Sequence, residues 1–174
     1  ASPGGQRGSL SVLFFHRVYP DVDDMAPGDP TVASFDARMG WLQSQFNILP
    51  LAEGVRRLRE GSLPPAAAAV SFDDGYRDNL INAAPILQRR GIPATFFIAT
   101  GFLDGGIMFN DVVIECARRS RLPQVELPRL GLPPMPLGSW AERRDAAITV
   151  LRALKYLPMP QRTEHVAALP EAFS

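Results

Sequence analysis

Two carboxylates stand side by side in Ser71-Phe72-Asp73-Asp74-Gly75. Adjacent carboxylates repel each other, and either protonation of one or a cation beside them relieves the repulsion. A hard or borderline divalent cation takes carboxylate oxygen readily. One aspartate can then hold the ion while its neighbour accepts a proton from metal-bound water. The same Asp-Asp-Gly is also ordinary turn chemistry, and a lone acidic pair is a weak motif. His16 ends another apolar run. It is placed to hydrogen-bond a carboxylate or contact a substrate, or else to satisfy nearby backbone groups. Asn110 and Asp111 follow the pair Gly105-Gly106. They either line the same rim or, for Asn110, cap the next helix.

The elements that must position these residues follow from the hydrophobic pattern. Ala66-Ala67-Ala68-Ala69-Val70 runs straight into the acidic pair and reads as a strand through Phe72, with Gly75 allowing a sharp exit. Leu10 to Phe15 reads as a buried strand ending at His16. Residues 20–33, with four aspartates among prolines and glycine, form a loop. Ser34 is the expected N-cap of a helix to about Phe46, with Phe35, Met39, Leu42 and Phe46 on one face. Asn47-Ile48-Leu49 is a short strand. Leu51 to Glu60 is a helix with Val55 and Leu58 inward, stopped by Gly61. Asn79 to Arg90 is a helix with the stripe Leu80, Ile81, Ala84 and Leu87, bent at Pro85 and capped by Gly91. Ala94 to Ala99 is the next strand. Strands and helices in alternation indicate an α/β architecture with a largely parallel sheet, and such sheets collect their chemistry at the C-terminal ends of strands.

The chain changes character after Gly106. A helix is expected over Asp111–Arg119. Five of the 17 prolines then fall within residues 120–138, where little regular structure is expected. Ser139 caps a helix from Trp140 to about Tyr156, and residues 160–169 form a shorter one. No strand is expected beyond residue 100. The division is thus a flexible leader (1–9), an α/β part (10–105), and a helical, proline-rich insertion or subdomain (106–174).

Composition narrows the function classes. The 174 residues are 46% hydrophobic and 21% charged, as in an ordinary globular domain. Eighteen basic residues balance eighteen acidic ones, which argues against a large nucleic-acid footprint. No apolar stretch reaches about 18 residues, the minimum for a membrane span. The single cysteine, Cys116, excludes an internal disulfide and a cysteine-rich zinc site, and its apolar surroundings suit buried core. The compartment stays open.

In combination these segments are more specific than the acidic pair alone. Ser71-Phe72-Asp73-Asp74-Gly75 resembles the first signature of the metal-dependent polysaccharide deacetylases. Leu13-Phe14-Phe15-His16-Arg17-Val18, Ala83-Pro85-Ile86-Leu87, Gly91-Ile92-Pro93-Ala94-Thr95-Phe96-Phe97 and Gly101 are similar to further parts of that family, over about residues 10–105. The resemblance implies a distorted (β/α) barrel, usually of seven strands, of which this chain would supply the N-terminal portion. It implies removal of acetyl groups from amino-sugar polymers, with an N-acetylated polysaccharide or oligosaccharide as partner. It makes Asp73 the general base and Asp74 a ligand of a divalent metal, expected to be zinc. His16 and Asn110 are substrate-binding candidates. The family's second signature, two metal-binding histidines about four residues apart, is missing: the only histidines are His16 and His165. His165 reads as a solvated or capping residue. The expectation is therefore an incomplete portion of an enzyme, inactive by itself. The alternative is a non-catalytic carbohydrate-binding or assembly domain that lost the metal histidines.

Overall fold

The computed structural model describes residues 2–174. Contacts divide the chain into two compact units, Ala1–Thr100 and Gly101–Ser174.

The first unit runs β1 (Leu10–Phe15), α1 (Val32–Gln45), β2 (Asn47–Ile48), α2 (Leu51–Arg59), β3 (Ala67–Phe72), α3 (Ala84–Arg90) and β4 (Ala94–Phe96). This is the expected alternation, and all the pairings are parallel. β3 is the axis. β1 lies along its whole length, from Leu10 beside Ala67 to Phe15 beside Phe72. The other edge of β3 is shared, by β2 at Ala67 and Ala68 and by β4 at Val70 to Phe72. All six β3 residues are buried, the apolar ones together with Ser71. Under this sheet Val18, Phe35, Met39, Leu42, Val70, Phe72, Ile86 and Leu87 form one core. The fold is α/β, a partial parallel array followed by a mainly helical segment.

Several local expectations change. The N-cap of α1 is Thr31, not Ser34. Thr31 accepts from the Ser34 backbone while the Ser34 side chain accepts from the Thr31 backbone, a reciprocal box three residues long. Leu58, expected inward, is 45% exposed; α2 instead turns Gly54 to the sheet, where any Cβ would meet Leu10 at 3.0 Å. The helix from Asn79 opens with a π-helical turn, Asn79–Ala83, before α3. Pro85 is the physical cause: it has no N–H to donate, and its ring would crowd the carbonyl four residues back. The wider turn rephases the helix. Asn79, Ala83, Ile86 and Leu87 face inward, and Leu80 and Ile81 are exposed at 74% and 53%. Gly91 caps α3 at φ 65°, as expected. Regular pairing of β4 stops at Phe96. Residues 97–99 still follow the aspartate turn, through Phe97 N–H to the Phe72 carbonyl (2.7 Å) and Ala99 N–H to the Asp74 carbonyl (3.3 Å).

The expected flexible leader is ordered where it is described. Gly5–Arg7 form a 3-10 turn, Gly5 N–H bonds the Leu63 carbonyl and Ala66 N–H bonds the Ser2 carbonyl. Ala1 lies outside the described residues.

The second unit contains α4 (Phe109–Arg119), α5 (Trp140–Lys155) and α6 (Met159–Ala172), which pack on one another around Val113, Ala117, Val150, Leu154 and Leu169. Ser139 caps α5 in a box with Glu142, as expected. The proline-rich stretch does hold strands, contrary to expectation: β5 (Gln124–Val125) pairs antiparallel with β6 (Met135–Pro136). α6 is longer than expected and continues through Pro170. Cys116 is half-buried rather than deep in the core.

Candidate active site

The register of β1 on β3 decides where the acidic pair sits. Phe15 lies beside Phe72, and Asp73 N–H carries the ladder one step further to the Phe15 carbonyl at 2.9 Å. The next residue on β1 is His16. The paired strands β1 and β3 therefore deliver His16 and Asp73 together at their C-terminal ends. Asp74 follows with φ 71°, in the left-handed region that aspartate tolerates better than most residues. Gly75, at φ 74°, has no such choice: a Cβ there would also lie 2.7 Å from Ile98 Cδ1.

The result is a three-group cluster. His16 Nε2 is 4.0 Å from Oδ2 of Asp73 and 4.0 Å from Oδ2 of Asp74. All three side chains are partly exposed, at 48%, 39% and 32%. The separations exceed a direct hydrogen bond, and contacts of this length suit a bridging atom. The Phe14 ring meets the imidazole edge-on at 5.9 Å.

A second set of side chains holds the loop that carries His16. Asp78 accepts from Arg17 Nε at 2.5 Å and from Val18 N–H at 3.2 Å. Asn79 Nδ2 donates to the His16 carbonyl at 2.9 Å and to Asp78 Oδ1 at 3.0 Å. Asn82 Nδ2 donates to the Val18 carbonyl at 2.7 Å. The Arg17 guanidinium lies over Tyr76 and Tyr19, at 4.1 and 4.8 Å. Burial works against its charge, but the Asp78 hydrogen bond and the charges around it prevail, so its pKa is raised. Burial also raises the Tyr19 phenol and the Asp29 carboxyl, the latter against the pull of Arg17 and His16. Asn79 is 3% exposed and its Oδ1 has no partner. Such an orphan acceptor costs about 1–3 kcal/mol.

The structure thus brings together three of the sequence candidates. The fourth, Asn110, lies in the second unit, in the first turn of α4, whose N-cap is Met108 and not Asn110. His165 stands half-exposed within α6. Arg17, Asp78, Asn79 and Asn82 have no site role in the sequence reading. The available signal was Asp78-Asn79 with Asn82, three polar side chains at the start of a helix otherwise read as an apolar stripe.

Carboxylate oxygen and imidazole nitrogen are the right donor types for a zinc-like ion. Their number is short. A catalytic zinc ordinarily takes three protein ligands, and among the described residues no group of three or more His, Cys, Asp or Glu is arranged to hold a metal.

Comparison with known proteins fits the same segment. Residues 60–119, which include the acidic pair and the whole of α3 and β4, match the polysaccharide deacetylase family profile. Over this stretch the chain is similar to the polysaccharide deacetylase family. It is 30% identical to YxkH of Bacillus subtilis over 91 residues, covering 51% of this chain and 31% of that protein. It is 36% identical over 70 residues to the poly-beta-1,6-N-acetyl-D-glucosamine N-deacetylase of Staphylococcus aureus, covering 40% of this chain and 24% of that one. The matches therefore span about a quarter to a third of these curated relatives. Among solved structures, IcaB from Ammonifex degensii aligns with a TM-score of 0.46 and 18% identity, over 97% of this chain and 83% of that one. The Streptococcus pyogenes deacetylase PplD in complex with acetate gives 0.48 and 15%, over 94% and 80%. No helix among the described residues is long and apolar enough to cross a membrane.

Proposed function

We propose that this polysaccharide deacetylase segment carries part of a hydrolytic site for N-acetyl groups on an amino-sugar glycan. The observation that supports it best is the imidazole of His16 standing 4.0 Å from a carboxylate oxygen of both Asp73 and Asp74. Amide hydrolysis forms a C–O bond to water, breaks the C–N bond and moves two protons. Asp73 accepts the proton that the attacking water loses. His16, the imidazole beside the pair, donates a proton to the departing amine, so that acetate and a free amino sugar result. Asp74 would contribute one carboxylate to a divalent metal, with zinc as the expected ion. Bound there, such an ion polarises the amide carbonyl and acidifies water. Among the described residues no group of three or more His, Cys, Asp or Glu is arranged to complete its coordination.

The short donor set supports a second reading, a carbohydrate-binding domain without turnover. One experiment separates the two. Acetate release from N-acetylglucosamine oligomers is measured with the complete gene product, with and without chelator, for the parent and Asp73→Asn. The hydrolytic reading expects turnover in the parent and a fall of roughly 10²–10⁴-fold in the variant, the range for loss of a positioned acid or base. An Asp73→Asn variant as fast as the parent refutes the assignment of the base. Binding of the oligomer that chelator leaves unchanged, with no acetate released, favours the second reading.

A further inference from the structure

Three side chains from the start of the helix that follows the acidic pair hold residues 16–18. Asp78 holds Arg17 and the Val18 amide, Asn79 holds the His16 carbonyl, and Asn82 holds the Val18 carbonyl. No element of the sheet supplies these contacts. The helix start that follows the Asp73-Asp74 turn is therefore fastened to the His16 loop through three side chains, Asp78, Asn79 and Asn82. We propose that Asn79 is a positioning residue: its amide fixes His16 against the two carboxylates, and it touches no reacting atom. This rests on the reading of His16, Asp73 and Asp74 as one site.

Three features single out Asn79 within the turn. It alone bonds the backbone of His16 itself. Its amide group spans two partners, the His16 carbonyl and Asp78 Oδ1, so the loop and the Arg17-Asp78 pair are locked together. It is also buried at 3% exposure with an orphan oxygen. A residue chosen for stability at that depth would be apolar; an amide that leaves one acceptor unpaired makes sense where its donor side is needed. Asn82, in contrast, bonds two residues further along and is an internal control.

Histidine side-chain NMR tests this on the chain as it is, because there are only two histidines and His165→Gln assigns the other. The quantity measured is the change in the His16 imidazole nitrogen resonances on introducing Asp73→Asn, at one neutral pH. It is measured in the parent, in Asn79→Ala and in Asn82→Ala. The expected result is a clear change in the parent and in Asn82→Ala, and loss of most of it in Asn79→Ala. If Asn79→Ala does not fold, Asn79→Ser, whose hydroxyl is too short to reach the His16 carbonyl, takes its place. An undiminished effect of Asp73→Asn in the Asn79 variant overturns the positioning role. No effect of Asp73→Asn on His16 in the parent overturns the three-group site, and the positioning role with it.

Discussion

Position 74 is where backbone and chemistry can be separated experimentally. Asp74 holds φ 71°, a conformation that costs an ordinary L residue about 1–2 kcal/mol and glycine nothing. The pair Asp74→Gly and Asp74→Ala removes the same carboxylate, so electrostatic effects cancel between them and the backbone term remains. Glycine returns about 0.4–1 kcal/mol of this through its more flexible unfolded state. The net expectation is a glycine variant about 0.5–1 kcal/mol more stable than the alanine variant. For a unit of about this size, where 1 kcal/mol moves Tm by about 4–8 °C, the gap is about 2–8 °C. Urea unfolding followed by far-ultraviolet circular dichroism reads it as a higher midpoint at unchanged slope. The Ala99 N–H bond to the Asp74 carbonyl is backbone and survives in both. An alanine variant equal to or more stable than the glycine variant would show that residue 74 does not occupy the left-handed region. The orientation of its carboxylate toward His16 would then lack its structural cause.

Two further outcomes follow from titratable groups away from the site. The Arg90 hydrogen bond, helped by Arg89, holds the Asp36 carboxyl below its ordinary range despite some desolvation. A folded-state pKa below the unfolded one stabilises above the unfolded value, and that contribution is lost as pH falls through the folded value. Asp36→Asn should thus be less stable than the parent at neutral pH and equal to it in acid; a gap that persists in acid would contradict this. In the second unit, burial and the charge of Glu115 push the Cys116 thiol up, against Arg119. Only the thiolate is alkylated, so iodoacetamide should modify Cys116 more slowly than free cysteine, with the rate profile displaced to higher pH. A profile matching free cysteine would contradict it.

The parts of this fold that were legible in the sequence are those governed by burial of contiguous apolar residues. Ala67–Phe72 is apolar except for Ser71, which suits a strand covered on both faces, and once β3 is central the acidic pair emerges at its end. Leu10–Phe15 is a strand as expected but not a buried one, since Val12 and Phe14 are 46% and 65% exposed, whereas the caps at Gly91 and Ser139 follow from local turn chemistry. The helix after Gly75 was misread because a 3.6-residue period was assumed through Pro85. The proline converts the preceding turn to π geometry and rotates the inward face from Leu80 and Ile81 to Asn79 and Ala83. That single rephasing also hid the polar side of the site, since it is what brings Asn79 into the interior beneath the His16 loop.

The rephased turn ties local strain to the candidate chemistry. Within ten residues the chain places a non-glycine in the left-handed region at Asp74, a π turn over Asn79–Ala83 and an orphan buried amide oxygen on Asn79. Each is unfavourable by itself, and sequences that fold well generally avoid them. Their concentration has a common geometric consequence. Asp74 must turn its carboxylate toward the end of β1, and Asn79 must reach back to the same end, so that His16 is approached from both directions. Stability alone would be served by an apolar residue at 79, a glycine at 74 and a regular helix. Departure from local preference at several neighbouring positions that converge on one imidazole is what a site assembled for chemistry looks like, and a solvated turn has no reason to show it.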